Sequence, residues 1–255
     1  MPHSAPQLPW LESGDALPPI ELAWGPMSPA PGLLAAGGAL DVPHLIAAYS
    51  QATFPWFSAG QPILWWSPDP RMVLEPAKFR LHRSLHQTIK KWRNDPACEI
   101  RMDTAFGKVI RHCASAPRAG QRGTWILPSM INAYCALHAE GFAHSVEAWR
   151  GSELVGGLYC VAIGQAVFGE SMFAHETDAS KIALAALVAF CHTHQITAID
   201  CQQNTQHLAS LGASEWPRAQ FAQHVADTRH RPAPAWIFQD LYWSQLLPQP
   251  TPPTP

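Results

Sequence analysis

The spacing of apolar and polar residues divides the chain into alternating helices and strands. Apolar residues three and four positions apart predict helices over residues 42–51, 85–93, 104–114, 128–139, 179–192 and 207–211. Apolar runs bounded by turn residues predict strands over residues 73–75, 99–102, 144–149, 154–163, 166–173 and 197–202. This order predicts an α+β fold, with a mixed sheet and helices on its faces.

Polar and glycine residues mark where these elements begin and end. Asp41, Asp103 and Asp178 each precede a predicted helix and are expected to be its N-cap. Gly141 and Gly212 are expected to end helices. The Gly-rich segment 32–41 is expected to be a turn, and the Pro-rich residues 1–31 to be irregular. The three-strand meander followed by a helix and another strand is also the layout of N-acyltransferase-type folds, which is an analogy at the level of fold.

Residues 54–71, FPWFSAGQPILWWSPDPR, are the most unusual stretch of the chain. They hold three of the 11 tryptophans, Trp56, Trp65 and Trp66, and four prolines that rule out a continuous helix. A stiff aromatic surface of this kind suits stacking against a planar or apolar ligand. The alternative is a Trp-rich core strand with its flanking turns.

Bulk composition indicates a cytoplasmic protein with reduced cysteines. The start of the chain lacks the features of a signal peptide, and no apolar run is long enough to cross a membrane. Six scattered cysteines without a CxxC pair favour buried thiols over a disulfide set or a zinc site. The cluster Cys191-His192-Thr193-His194 is interpreted as a helix end in preference to a metal site.

Charge is segregated along the chain, although the net charge is only −2. Residues 76–122 hold 11 of the 17 Lys and Arg residues but three acidic residues, a local charge of +8. Such a face suits phosphate groups, and a solvated surface helix is the alternative. The candidate phosphate patch consists of Lys78, Arg80, Arg83, Lys90, Lys91 and Arg93.

Two strands carry polar residues that are candidates for chemistry. Glu170 interrupts the apolar strand over 166–173, and Asp200 and Gln202 come at the end of the strand over 197–202. Buried polar groups of this kind are costly unless they are hydrogen-bonded or functional, and strand-end caps are the alternative interpretation. The chain has no Walker A loop, GxGxxG, GxSxG or HExxH motif, and it lacks the pyrophosphate loop of acetyl-CoA enzymes.

A series of longer motifs resembles the bacterial leucyl/phenylalanyl-tRNA–protein transferases from about residue 32 to about residue 225. In chain order these motifs are GLLAAGGALD (32–41), the stretch 54–71, GTWI (123–126), HSVEAWR (144–150), ELVGGLY (153–159), GESMF (169–173), DASK (178–181), IDCQ (199–202) and HLASLGA (207–213). The resemblance implies an enzyme that moves Leu or Phe, and Met less well, from charged tRNA to the N-terminal Arg or Lys of acceptor proteins. The product is a substrate for N-end-rule degradation, and the family uses no metal or coenzyme.

The resemblance also implies a domain organisation. It predicts a small N-terminal domain over residues 1–75 and an acetyltransferase-like (GNAT-like) catalytic domain over 76–247. The low-complexity, Pro-rich composition of residues 248–255 predicts a disordered tail.

Carried onto this sequence, the resemblance implies three groups of site residues. The catalytic positions are Asp200 and Gln202, with Glu170 as a supporting carboxylate, and Trp56 and Trp125 hold the 3′-terminal adenosine of tRNA. The amino-acid side-chain pocket consists of Leu158, Val167, Ser171, Leu184 and Ile199.

Chemistry suggests a role for each catalytic position. We expect Gln202 to accept a hydrogen bond from the attacking amine, Glu170 to orient the Gln202 amide, and Asp200 to bind the amine or the basic acceptor side chain. An acyl-CoA-dependent N-acyltransferase and a non-catalytic module that binds RNA ends or apolar peptides are the alternative functions.

Overall fold

The computed structural model describes residues 7–116 and 126–247, which form two β-sheets with helices on both faces of the larger one. The strands are Trp10–Leu11 (β1), Leu33–Gly37 (β2), Phe54–Pro55 (β3), Leu64–Trp66 (β4), Arg71–Leu74 (β5), Cys98–Met102 (β6), Ala143–Arg150 (β7), Glu153–Ile163 (β8), Ala166–Ala174 (β9), Ile199–Gln202 (β10) and Ser214–Trp216 (β11). The α-helices are Val42–Ser50 (α1), Arg83–Asn94 (α2), Phe106–Ser115 (α3), Pro128–Ala139 (α4), Ala179–Thr193 (α5), Gln206–Ser210 (α6) and Arg218–Thr228 (α7).

The larger sheet confirms the predicted α+β fold. Its strand order is β11-β5-β10-β9-β8-β7-β6, and the consecutive strands β7, β8 and β9 form the expected antiparallel meander. Only β9 and β10 are parallel among its described pairs, because the long helix α5 connects them across one face. The finer likeness to acetyltransferases stays a prediction.

The smaller sheet corrects the prediction of a turn over residues 32–41. Its strand order is β1-β2-β4-β3, and β2 lies inside that segment. Leu34 and Ala35 are fully buried between the neighbouring strands, and this burial favours an extended backbone despite the surrounding glycines. The prediction that residues 1–31 are irregular was also wrong in part, since β1 and a short 3₁₀ helix over Ile20–Leu22 lie there.

Helices cover the two faces of the larger sheet with separate groups of apolar residues. One face, called the α5 face, packs against α5 and against Leu85, Ile89 and Trp92 of α2. The opposite face, called the α4 face, packs against α1, α3, α4 and the smaller sheet in a second continuous core. Trp65 of β4 is fully buried in that second core.

The aromatic stretch 54–71 therefore contributes to both sheets. Its first residues form β3 and β4 of the smaller sheet, whereas its last residue, Arg71, begins β5 of the larger sheet. The domain boundary at residue 75 stays a prediction. The predicted tail 248–255 lies outside the described residues.

The N-cap prediction is confirmed for one helix. The Asp41 carboxylate accepts the backbone N–H of His44 at 2.9 Å at the start of α1. Gly141 and Gly212 follow α4 and α6 with positive φ angles, as predicted for residues that end helices.

The prediction for Asp103 was wrong, whereas Asp178 occupies the N-cap position of α5 but makes no side-chain cap. Asp103 instead accepts the backbone N–H of Ser145 at 2.8 Å, and Glu147 caps α3 by accepting the N–H of Ala105 at 2.7 Å. The N-terminus of α3 is therefore capped by a side chain from strand β7 and not by Asp103. Asp178 adopts a left-handed backbone, and its carboxylate bonds to Lys181 at 2.7 Å, so it makes no side-chain cap on α5.

All six cysteines are free thiols. Cys191 is buried on the α5 face, where desolvation raises the pKa of its thiol strongly.

None of the helices in residues 7–116 and 126–247 has the length and apolar character needed to span a bilayer.

Candidate active site

The candidate site lies where the parallel strands β9 and β10 separate. They pair at Ile199 with Val167 and at Asp200 with Phe168, and no pairing follows beyond these two positions. Both strands change register there: β9 bulges against β8 after Gly169, and β10 bulges against β5 between Asp200 and Gln202. Bulges divert a strand from its neighbour, so a gap opens at this edge of the pair.

Gln202 bridges the gap with its side chain. Its Nε2 donates to the Gly169 carbonyl oxygen at 2.8 Å, in place of a backbone bond between the strands. The Gln202 backbone is left-handed, with φ of 56°, which non-glycine residues adopt rarely. Its own N–H donates to Asp200 Oδ1 at 2.9 Å. Hydrogen bonds of its backbone N–H and of its side-chain amide therefore both fix the orientation of Gln202.

Asp200 is fully buried and paired with Arg71. Arg71 Nε donates to Asp200 Oδ1 at 2.8 Å, and Arg71 Nη2 donates to Oδ2 at 2.6 Å. This is a bidentate pair of the kind that fixes both partners in orientation. The carboxylate of Asp200 therefore faces Arg71 and not the gap between the strands.

Glu170 lies on the α4 face in a cluster with two tyrosines. Tyr49 Oη donates to Glu170 Oε1 at 2.7 Å and lies 2.5 Å from Tyr134 Oη, which is 3.4 Å from Glu170 Oε2. Removal from water raises the pKa of Glu170 to about 8, and the hydrogen bond from Tyr49 opposes part of that rise.

The prediction that Glu170 orients the Gln202 amide was wrong. In the structure the Gln202 amide instead contacts the Gly169 carbonyl, which the β9 bulge turns toward Gln202. The Glu170 side chain instead follows Phe168 onto the α4 face, where the tyrosines hold it. Gly169 suits this close approach, because a Cβ there would lie 3.3 Å from the Asp200 carbonyl oxygen.

The predicted side-chain pocket residues come together on the α5 face. Four of them are buried in one apolar cluster: Leu158 on β8, Val167 on β9, Leu184 on α5 and Ile199 on β10. Ser171 is half-buried on β9, opposite Tyr159 of β8. The cluster therefore reaches the point where β9 and β10 separate, although Ile199 and Leu158 are two strands apart.

The aromatic residues of the predicted adenosine site are only partly described. Trp56 is half-buried in the smaller sheet, and its ring meets Trp66 edge to face with ring centres 5.6 Å apart. Trp66 also donates its indole N–H to the Trp56 carbonyl at 2.7 Å, which holds the backbone of Trp56 in place. Trp125 lies outside the described residues.

The predicted phosphate patch is exposed, but its six residues are not equivalent. Lys78 is paired with Glu75 at 2.7 Å, and Arg93 is paired with Asp240 at 2.6 Å. Within residues 7–116 and 126–247, four members of the patch have no ion pair: Arg80, Arg83, Lys90 and Lys91. These four charges are the ones available to a phosphate ligand.

Sequence reasoning missed three residues of this site, Arg71, Tyr49 and Tyr134. Arg71 gave a usable signal, since an arginine opening the apolar strand RMVL requires a buried anion. Tyr49 and Tyr134 occupy ordinary apolar positions on helices and gave none. No group of three or more His, Cys, Asp or Glu side chains suited to a metal ion occurs in the described part of the chain.

Comparison with known proteins matches nearly the whole chain. The family model "Leucyl/phenylalanyl-tRNA protein transferase" matches residues 73–226, and the model of the N-terminal domain of the same family matches residues 38–69. A protein of Polaromonas sp. (strain JS666 / ATCC BAA-500) named leucyl/phenylalanyl-tRNA–protein transferase is 63% identical over 240 residues, which is 94% of each chain.

Two further relatives carry the same name. One, from Albidiferax ferrireducens, is 58% identical and covers 97% of each chain. The other, from Leptothrix cholodnii, is 57% identical and covers 94% of this chain and 95% of its own.

The α+β fold and these matches show that the protein is an enzyme of the aminoacyltransferase class. The chain belongs to the leucyl/phenylalanyl-tRNA–protein transferase family.

Proposed function

We propose that this enzyme transfers Leu or Phe, and Met less well, from charged tRNA to the N-terminal Arg or Lys of acceptor proteins. The acceptor then carries a residue that marks it for N-end-rule degradation, in the cytoplasm. The observation that supports the proposal most is the Gln202 amide, held by Gly169 at the gap beside an apolar cluster.

The proposed reaction exchanges one bond for another. The acceptor α-amine attacks the carbonyl carbon of the aminoacyl ester and forms the peptide bond. The ester bond to the terminal ribose breaks, and the ribose oxygen leaves with a proton that the amine loses. The ester is already activated, so the enzyme contributes positioning and proton handling, and the reaction needs no metal or coenzyme.

Gln202 suits the positioning of the amine. Because its Nε2 donates to Gly169, its Oε1 is the atom left to accept a hydrogen bond from the nucleophile. An amide oxygen is a weak base, so this contact orients the amine and does not remove its proton.

Glu170 is suited to accept the proton that the amine loses. The reference pKa of an α-amino group is about 8, and burial raises the pKa of Glu170 to about 8 as well. Groups with matched pKa values exchange protons with the least loss of driving force. Glu170 also follows directly on Gly169, whose carbonyl holds Gln202, and its carboxylate faces Tyr49, so we assign to Glu170 the uptake of the proton of the amine through water.

The remaining predicted residues hold the aminoacyl-tRNA. Trp56, together with Trp125, stacks on the terminal adenosine, and the cluster around Leu184 takes the amino-acid side chain. Burying such a side chain contributes about 2 kcal/mol. The basic patch from Lys78 to Arg93 contacts phosphates without reading sequence, as an enzyme that uses several tRNAs requires.

The deciding experiment is incubation with Phe-tRNA and a peptide that begins with Arg. Mass spectrometry should detect the addition of one Phe residue. The same peptide with an acetylated N-terminus is the matched control and should stay unmodified, since it lacks the nucleophile. Addition of an acetyl group from acetyl-CoA without tRNA would contradict the proposal and favour an acyl-CoA-dependent enzyme.

A further inference from the structure

We propose that Arg71 is a positioning residue of the transfer reaction: it fixes Asp200, Asp200 fixes Gln202, and the Asp200 carboxylate does not itself contact the substrate. This inference rests on the proposed function and refines it. Arg71 is the last residue of the aromatic stretch 54–71, and Asp200 would act on Gln202 and not on the amine or the acceptor side chain.

The guanidinium of Arg71 is closed in on every side. It is 1% exposed, and its Nη1 donates to the Ala52 carbonyl at 3.2 Å, in addition to the two bonds to Asp200. The rings of Phe54 and Phe221 lie 4.8 and 4.9 Å from its central carbon. A buried cation needs a matched anion, so the Asp200 carboxylate is committed to this pair.

Both oxygens of Asp200 are already engaged within the protein. Oδ1 accepts from Arg71 Nε and from the Gln202 N–H, and Oδ2 accepts the 2.6 Å bond from Arg71 Nη2. Its side chain is fully buried. An amine or a basic side chain of the acceptor could reach it only by displacing Arg71.

The bond from Asp200 to the Gln202 N–H has a specific consequence. It lies across the β10 bulge and supports the left-handed backbone of Gln202, which the residue would otherwise avoid. That backbone points the side chain at the Gly169 carbonyl. The order Arg71, Asp200, Gln202, Gly169 is thus one connected set of contacts that ends at the amide proposed to meet the nucleophile.

The first test is a double-mutant cycle between Arg71→Lys and Gln202→Ala. Lysine keeps the positive charge but cannot make the two-pronged bond to Asp200. In the wild-type background we expect R71K to lower kcat about 10-fold, while KM for Phe-tRNA changes less than about 2-fold. In the Q202A background we expect R71K to change kcat less than about 2-fold, because the residue through which Arg71 acts is already absent. Equal effects in both backgrounds would overturn the proposal.

Arg229→Lys is the matched control for loss of an arginine. Arg229 is half-buried and donates to the Ser50 carbonyl at 2.7 Å, outside the set of contacts that leads to Gln202. We expect R229K to keep kcat within about 2-fold of the wild type in both backgrounds. A 10-fold loss in R229K would mean that the R71K effect reports a general loss of arginine packing, and the proposal would fail.

A second test separates the charge of Asp200 from its geometry. D200N removes the charge but keeps an oxygen that can accept the Gln202 N–H. In the Q202A background we expect D200N to change kcat less than about 2-fold, because the residue through which Asp200 acts is already absent. If the charge of Asp200 acts on the substrate, D200N should lower kcat about as much in the Q202A background as in the wild type, and the inference is wrong.

These outcomes distinguish the inference from the function on which it rests. If the wild-type enzyme adds no Phe to the peptide, the proposed function fails. If the wild type transfers Phe but R71K and Q202A act independently, the function stands and Arg71 is only a structural residue.

Discussion

The two faces of the larger sheet are built from different kinds of residue, aliphatic side chains on one and paired polar groups on the other. On the α5 face, the candidate pocket is built from aliphatic side chains such as Val167 and Leu184, in a core that also packs against the basic helix α2. On the α4 face, the polar groups Arg71, Asp200 and Glu170 are held in fixed pairs.

Apolar packing and buried pairs respond differently to substitution. An aliphatic pocket changes its volume gradually, and small changes cost little. A buried pair loses its geometry when either partner is changed. Changes on the α5 face should therefore alter which substrate is used, whereas changes on the α4 face should alter the rate for every substrate.

The largest effect expected is that of Gln202→Ala at the gap between the faces. Loss of the oriented amide should lower kcat about 100-fold, a size typical of removing one preorganised polar contact. KM for Phe-tRNA should stay within about 2-fold, because the groups that hold the tRNA are untouched. Steady-state kinetics with Phe-tRNA and Leu-tRNA measures this, and both substrates should lose rate equally.

Gln203→Ala is its control. Gln203 is exposed and carries the same functional group one position later. Its variant should transfer at the wild-type rate. Wild-type activity in Q202A, or an equal loss in Q203A, would remove Gln202 from the site.

The next effect concerns the candidate phosphate patch around the basic helix α2. Neutralising Arg80, Arg83 and Lys90 together should weaken tRNA binding about 10-fold and reduce the slope of log affinity against log salt by about 2. Fluorescence anisotropy with labelled tRNA at several salt concentrations measures the slope. Binding should weaken to the same extent for Leu-tRNA and Phe-tRNA, since phosphate contacts read no sequence.

The ion-paired residues of the same patch provide the comparison. Lys78 and Arg93 are already bound to Glu75 and Asp240, so K78A/R93A should change the slope less for each charge removed. An unchanged slope in the triple variant would exclude the patch from tRNA binding. An equal change in slope for each charge removed in both variants would show that the ion pairs do not affect tRNA binding.

A smaller effect should follow from filling the candidate pocket. Val167→Phe places a larger ring in the cluster with Leu158 and Ile199, and it should lower kcat/KM for Phe relative to Leu about 10-fold. Leu158→Met conserves volume and should keep that ratio within about 3-fold. Competition between the two charged tRNAs measures the ratio directly. If V167F lowers both substrates equally, Val167 affects the rate and the contrast between the faces fails at this residue.

The smallest effect expected is a change of stability with pH at Glu170. Its pKa is raised in the folded protein from 4.5 to about 8, so the folded state holds the proton more tightly than the unfolded chain. Its contribution to stability is therefore complete below about pH 4.5 and is lost as pH rises toward 8. Allowing for partial exposure, the loss is on the order of 2 kcal/mol.

Urea unfolding of the wild type and of Glu170→Gln at several pH values measures this loss. The glutamine does not titrate, so the difference in unfolding free energy between the two proteins should change steadily between about pH 5 and 8. A constant difference would mean that the pKa of Glu170 is not raised. Tyr49→Phe, which keeps the carboxylate and removes one hydrogen bond, should steepen the dependence.

The sequence predicted elements and residue sets better than it predicted contacts. The meander and the helix α4 follow from periodicity, and the structure contains them. The predicted pocket residues Leu158, Val167, Leu184 and Ile199 lie in one buried apolar core, and their role as a substrate pocket stays a prediction. The Glu170 contact was assigned wrongly because it was argued from the chemistry of the family positions alone, and the bulge after Gly169 brings the Gly169 carbonyl to Gln202 instead. Bulges leave no clear pattern in a single sequence, so neither this one nor that at Gln202 could be located.

Long-range pairs were equally invisible in the sequence. Arg71 and Asp200 are far apart in the chain, and their pairing depends on β5 lying beside β10 in the sheet. Tyr49 comes from a helix assigned to a different domain from Glu170. Partners of this kind follow from topology, which single-sequence patterns do not determine.

The bond between Tyr49 and Glu170 bears on how such enzymes can be recombined. Tyr49 lies within the segment matched by the N-terminal family model, and Glu170 lies within the segment matched by the other. A chimera that takes its first 69 residues from a distant relative would need a phenol at the position of Tyr49 to keep the pKa of Glu170 from rising further. The two matched segments are therefore coupled in one protein through a hydroxyl that makes no contact with solvent.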